Sequence, residues 1–127
     1  MTLFERFKSA FKLTPAKSSI RKKTTIIEET QGGELMMKKV TLTVTGRVQG
    51  VGFRYMTKMV ADQIGVFGLV RNEMDGSVYI EANGEPQKID AFIEEIRKSP
   101  TPSGKVEHLE ITEDSSLPVK DKFSVSN

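Results

Sequence analysis

The sequence contains no cysteine, and its 127 residues include a single histidine. The absence of cysteine excludes a disulfide framework, thiolate catalysis and thiolate metal sites. No apolar run approaches the roughly 18 residues that a membrane-spanning helix needs, and the N-terminus lacks the continuous apolar core of a secretory signal. We therefore expect one cytoplasmic globular domain with no stable membrane association.

The excess of basic charge is confined to the first part of the chain. Residues 1–35 carry seven Lys and Arg against four acids, and residues 36–127 carry twelve against thirteen, which together give the net charge of +2. Because the longer segment is slightly acidic, its composition does not favour binding to nucleic acid.

Residues 1–37 differ from the rest and are predicted to be an N-terminal extension. Four apolar residues fall on one face of a possible amphipathic helix, namely Leu3, Phe4, Phe7 and Phe11. Gln31-Gly32-Gly33 is typical of a linker. Residues 31–36 can also be encoded by codons that contain a bacterial ribosome-binding sequence, which would make Met36 or Met37 the true start. A translated leader, a disordered tail and a functional amphipathic helix stay open as interpretations.

A glycine-rich stretch from Gly46 to Arg54 lies between a predicted strand and a predicted helix. Glycine tolerates positive φ, and backbone N–H groups at a helix N-terminus can form an anion site. Arg54, in the first helical turn, offers a forked and permanently charged guanidinium. The stretch lacks the Gly-Lys-Ser/Thr of a P-loop, and Tyr55 replaces the third glycine of a dinucleotide fingerprint. It indicates a site for a small oxyanion, or else a turn that carries a solvated arginine.

Alternation and helical periodicity predict the order βαββαβ followed by a short extra strand. The predicted strands are 38–45, 66–72, 77–82, 105–113 and 122–126, and the predicted helices are 53–64 and a second one that begins at residue 86. Each helix connects two strands and should pack on one face of the sheet. The fold class is therefore predicted to be α+β, a two-layer α/β sandwich of ferredoxin-like type with a short extra edge strand.

Particular residues predict the buried side of the first helix, two turns and the end of the second strand. The first helix should bury one apolar stripe, formed by Phe53, Met56, Val60 and Ile64. Asp75-Gly76 and Asn83-Gly84 are predicted turns. Asn72 is the only asparagine in a segment predicted to be a strand, and its place at the strand end can aim it at the rim that holds residues 49–54. Position alone also fits a polar residue that opens a hairpin.

The chain resembles the acylphosphatase family in two long motifs. Gly46–Arg54 is similar to the first signature of that family at every position, and Gly68–Val78 is similar to the second. The resemblance covers residues 38–126, so residues 38–127 are identified as an acylphosphatase-like domain. Leu69 departs from the family, which usually has an aromatic residue there, and we expect a change of packing around it.

The resemblance implies metal-independent hydrolysis of small acyl phosphates such as acetyl phosphate, carbamoyl phosphate or 1,3-bisphosphoglycerate. Arg54 would bind the phosphate, and Asn72 would position the attacking water. The phosphate-binding loop would consist of Gln49, Gly50, Val51, Gly52 and Phe53. No cofactor, metal or nucleic acid is expected, and a monomer is expected.

Two other functions compete with hydrolysis. The open face of a ferredoxin-like sheet can bind RNA through aromatic residues, but here it offers mainly Tyr79. The second alternative is a non-catalytic or regulatory domain that binds acyl or carbamoyl phosphate, as occurs in larger hydrogenase-maturation proteins. His108 lacks ligand partners in the sequence, and Glu94 and Glu95 diverge on a helix, so none of them is a candidate for catalysis.

Overall fold

The structure is a computed structural model that describes residues 37–127. The predictions for the N-terminal helix, the linker and the alternative start fall on residues 1–36 and lie outside the described residues. The elements are β1 (Lys38–Arg47), α1 (Phe53–Ile64), β2 (Phe67–Asn72), β3 (Val78–Gly84), α2 (Pro86–Arg97), β4 (Lys105–Glu113) and β5 (Phe123–Ser126). The predicted α+β fold of ferredoxin-like βαββαβ type, with a short extra edge strand, is confirmed.

The order of the strands determines which chain segments meet. The sheet runs β4-β1-β3-β2-β5. Strands β1 and β2 both pair antiparallel with β3 between them, and β5 pairs parallel with β2. Strands β1, β2 and β5 therefore point the same way, and their C-terminal ends meet at one edge of the sheet. The glycine-rich loop follows β1 at this edge.

The core lies between the sheet and the two helices. The inward side chains of β1 face those of β3 in register, with Val40 opposite Ala82, Leu42 opposite Ile80 and Val44 opposite Val78. All six are fully buried or nearly so. Helices α1 and α2 cover this face of the sheet and contact each other. No helix within residues 37–127 is long and apolar enough to cross a membrane.

The buried stripe of α1 differs from the predicted one. Its bounds agree with the prediction, but Met56 is only half-buried, and the buried residues are Phe53, Thr57, Val60, Ala61 and Ile64. This set keeps helical spacing but places two small side chains against the core. Thr57 and Ala61 let the helix approach its neighbours more closely than a methionine would.

The predicted turn at Asn83-Gly84 is wrong, because β3 continues through Gly84. The Asn83 side chain donates to the Lys120 carbonyl at 3.1 Å and accepts from the Lys120 N–H at 3.0 Å. These contacts fasten β3 to the segment before β5 and bury Asn83. Asn72 is therefore not the only strand asparagine, and the turn at Asp75-Gly76 is the one that forms the β2–β3 hairpin.

Candidate active site

A cavity of about 320 Å³ opens at the edge where β1, β2 and β5 end. It is lined by Val48, Gly50, Gly52, Phe53, Arg54, Tyr55, Asn72 and Val125. The structure thus brings Arg54 and Asn72 together with three of the five predicted loop residues. The other two, Gln49 and Val51, belong to the same loop but do not line the cavity.

The backbone of the loop is shaped by two glycines. Gly50 has φ 78° and Gly52 has φ 81°, both in the left-handed region that glycine adopts without strain. Gly52 is also the N-cap of α1. Within residues 37–127, no oxygen accepts a hydrogen bond from the backbone N–H groups of residues 50–55. Unpaired N–H groups at the positive end of a helix favour an anion.

Arg54 reaches the site from the first turn of α1 and is oriented by β5. Its Nη1 donates to the Ser126 carbonyl at 2.9 Å. In the described part of the chain, no carboxylate forms an ion pair with Arg54. A guanidinium has five N–H donors, so within residues 37–127 most of those of Arg54 stay available for a ligand, and no carboxylate of this segment neutralises its charge.

Asn72 contributes a buried acceptor at the end of β2. Its Oδ1 is buried and has no hydrogen-bond partner among residues 37–127. Most buried polar atoms in proteins are paired, and Asn72 also lines the cavity, so its side-chain amide is a candidate to contact a ligand or a water molecule there. The sequence could place Asn72 at this rim but could not show that its oxygen is unpaired.

The side chain of Gln49 has a role that the sequence did not indicate. Its Nε2 donates to the Glu73 carbonyl at 2.9 Å and to the Ser77 carbonyl at 2.8 Å. It therefore ties the loop to the β2–β3 hairpin, immediately beyond Asn72. A single glutamine in a loop carries no local pattern that could have revealed this contact.

The titratable groups near β2 face away from the cavity. Adjacent residues of a strand point to opposite faces, so Arg71, next to Asn72, lies on the open face of the sheet. There its Nε donates to Glu73 Oε2 at 2.6 Å, and its Cζ lies 4.4 Å from the centroid of the Tyr79 ring. The hydrogen bond to Glu73 raises the pKa of Arg71. Burial, followed by the hydrogen bond to Glu81, raises the pKa of Tyr79 to about 12.

The acid and histidine side chains of the described residues also lie elsewhere. His108 is exposed on β4, and none of the residues that line the cavity is a carboxylic acid or a histidine. Among residues 37–127, no three His, Cys, Asp or Glu side chains are grouped so that they could hold a metal ion. The arrangement can bind an oxyanion and orient a water molecule, and it offers no imidazole or carboxyl group for proton transfer.

Comparison with known proteins places this chain in a family. Residues 40–125 match the acylphosphatase family model. The chain is 62% identical over 77 residues to an acylphosphatase of Lactiplantibacillus plantarum, covering 61% of this chain and 86% of that protein. It is 54% identical over 89 residues to an acylphosphatase of Enterococcus faecalis, covering 70% of this chain and 98% of that protein.

A solved structure agrees with these relatives. The crystal structure of acylphosphatase from Bacillus subtilis matches this chain with a TM-score of 0.68 and 38% sequence identity. The match covers 72% of this chain and 100% of that one.

Proposed function

This chain belongs to the acylphosphatase family, and we propose that it hydrolyses the carboxyl–phosphate bond of small acyl phosphates with Arg54 and Asn72 as its catalytic residues. One observation carries the assignment of residues. One small cavity is lined by Arg54, by Asn72 and by glycines of the loop, and among residues 37–127 the Arg54 guanidinium has no carboxylate partner and the loop N–H groups have no acceptor.

The phosphoryl group is held by Arg54 and by the N–H groups of the loop. Phosphoryl transfer passes through a loose transition state that spreads negative charge over the equatorial oxygens. Donors that are fixed before the reaction stabilise this charge without reorganisation, and such preorganisation is often the largest catalytic contribution. The hydrogen bond from Arg54 to the Ser126 carbonyl holds the guanidinium in place for this task.

The leaving group explains why the cavity needs no acid. The departing carboxylate belongs to a group with a pKa of about 4, so it leaves as an anion and requires no proton. The side-chain amide of Asn72 hydrogen-bonds to the attacking water and holds it with a lone pair directed at phosphorus. The water's proton passes to an oxygen of the substrate phosphate, which removes the need for a protein base.

The acyl group extends from the cavity toward solvent. Tyr55 and Val125 line the mouth and are 62% and 44% exposed. They offer an apolar surface to an acyl chain or ring, which makes benzoyl phosphate a suitable test substrate. Residues 38–127 form the catalytic domain in this proposal, and the protein acts as a cytoplasmic monomer without a metal or cofactor.

Phosphate release from benzoyl phosphate in the presence of EDTA tests the proposal. Arg54→Ala and Asn72→Ala should each lower kcat/KM by roughly 10²-fold or more, since each removes a transition-state contact. Arg47→Ala is the matched control, because Arg47 is exposed near the same loop and does not line the cavity. Turnover that persists in Asn72→Ala would refute the water-positioning role.

The same assay separates hydrolysis from a purely binding function. A folded wild-type protein that binds phosphate without turnover would favour a non-catalytic acyl-phosphate-binding domain. Dependence of turnover on an added metal ion would contradict the metal-independent mechanism.

A further inference from the structure

The loop that follows α2 reaches the phosphate-binding loop through one buried hydroxyl. Thr101 is 6% exposed, and its Oγ1 donates to the Val51 carbonyl at 3.1 Å. The same Oγ1 accepts from the Ser103 N–H at 3.4 Å. Because the Ser103 N–H donates to Thr101 Oγ1, the hydrogen of the Thr101 hydroxyl is free to be donated to the Val51 carbonyl.

The position of Thr101 is itself well fixed. The Ser99 hydroxyl donates to the Thr101 carbonyl at 2.7 Å, and the Gly104 N–H donates to the same carbonyl at 3.1 Å. Ser99 adopts φ 74°, an uncommon conformation for a residue with a side chain. The turn therefore presents the Thr101 hydroxyl from a rigid support.

The contact controls the direction of one donor of the phosphate-binding loop. In a trans peptide unit the C=O and the following N–H point in opposite directions, and the structure contains no cis peptide bond within the described residues. The unit that joins Val51 to Gly52 thus turns its carbonyl to Thr101 and its N–H away from it. Gly52 lines the cavity, and its N–H has no acceptor among residues 37–127.

Without such a contact this peptide unit could rotate easily. Rotation about the Val51–Gly52 unit changes φ of residue 52, and glycine accepts nearly any φ. A rotated unit would direct the Val51 carbonyl oxygen toward the bound anion, where it would repel phosphate oxygens. We propose that Thr101 is a positioning residue that locks the Val51–Gly52 peptide so that the Gly52 N–H faces the phosphate. This inference rests on the proposed function, since it concerns the same anion site.

A phosphate titration of the wild-type protein tests the direction of the donor without any substitution. Inorganic phosphate is added while the amide resonances are followed by ¹H–¹⁵N NMR. The Gly52 amide proton should move downfield, because it gains a charge-assisted hydrogen bond. Saturable shifts at other residues of the loop with no shift at Gly52 would overturn the proposal, and so would an absence of any binding.

Substitutions then test whether the hydroxyl sets this direction. Thr101→Val keeps the shape of the side chain but cannot donate, and it should weaken phosphate binding and lower kcat/KM by about tenfold. Thr101→Ser keeps the hydroxyl and should retain wild-type values. Thr45→Val is the matched control, since it makes the same change of side chain but removes a hydrogen bond to the His108 carbonyl, which does not touch the phosphate-binding loop.

The outcomes separate a positioning role of Thr101 from a general loss of stability, and from failure of the proposed function. Wild-type activity in Thr101→Val, or equal losses in Thr101→Val and Thr45→Val, would overturn the positioning role while leaving the roles of Arg54 and Asn72 untouched. An inactive wild type would instead overturn the proposed function. If Thr101→Val fails to fold, the phosphate titration is compared between the wild type and Thr101→Ser. A downfield shift of the Gly52 amide proton in only one of these two proteins would contradict the positioning role of Thr101.

Discussion

Replacing Gln49 should weaken both the stability and the activity of the protein. Its Nε2 joins the phosphate-binding loop to the β2–β3 hairpin through the Glu73 and Ser77 carbonyls, at 2.9 and 2.8 Å. Gln49→Leu removes both hydrogen bonds and keeps most of the side-chain volume. Asn72 directly precedes Glu73, so loosening this join also loosens Asn72 relative to the loop that holds the phosphate.

The cost can be worked out from the hydrogen bonds that stay in place. A hydrogen bond contributes about 0.5–1.5 kcal/mol net, so the pair is worth about 1–3 kcal/mol. Neither carbonyl is left unpaired, because Glu73 N–H still donates to Ser77 and Gly76 N–H still donates to Glu73. We therefore expect a loss of about 1–2 kcal/mol in the free energy of unfolding, which for a domain of this size lowers Tm by about 4–8 °C per kcal/mol.

Urea denaturation and steady-state kinetics measure the two effects together. Gln49→Leu should lower the urea midpoint without changing the slope, and it should lower kcat/KM by about tenfold because the water and the phosphate lose their mutual alignment. Gln49→Glu is the sharper variant, since an ionised carboxylate facing two carbonyl oxygens is repelled and cannot donate. A Gln49→Leu protein with wild-type stability and turnover would show that these two hydrogen bonds support neither property.

Three further changes have definite expected outcomes. Arg54→Lys should lower kcat/KM by about 10²-fold or more in the benzoyl phosphate assay, and near-normal turnover would show that charge alone suffices. Ser77 hydrogen bonds, chiefly from its hydroxyl, lower the pKa of Asp75, so the ionised form is stabilising. Asp75→Asn should therefore lower Tm at pH 7, with a difference that shrinks as the pH falls through the folded pKa of Asp75, and a constant difference would contradict this. His108→Gln should leave the pH profile of kcat/KM unchanged, and an altered profile would implicate the histidine.

The sequence predicted the elements whose signals are local. The bounds of α1 agree because glycines stand at both of its ends, Gly52 as the N-cap and Gly65 as the C-cap, each in a left-handed conformation. The end of β3 was missed because Asn-Gly is a strong local turn signal. That signal is overridden by hydrogen bonds between Asn83 and Lys120, which are distant in the chain.

The candidate site also combines residues that local sequence signals predict with contacts that they do not. Arg54 and the glycines could be found from one contiguous motif, and Asn72 from the expected strand order. The contacts that hold these groups join distant segments, namely Gln49 to the hairpin, Arg54 to Ser126 and Thr101 to Val51. None of these pairs has a periodic or compositional signal, so only the folded structure reveals them.

Hydrolysis of benzoyl phosphate in ¹⁸O-labelled water tests the central claim that a positioned water attacks phosphorus. With EDTA present, enzyme-catalysed turnover should place one labelled oxygen in the phosphate and none in the benzoate. The rate of this incorporation should fall by about 10²-fold in Asn72→Ala. Label in the benzoate would mean that water attacks the carbonyl carbon, which would contradict attack at phosphorus.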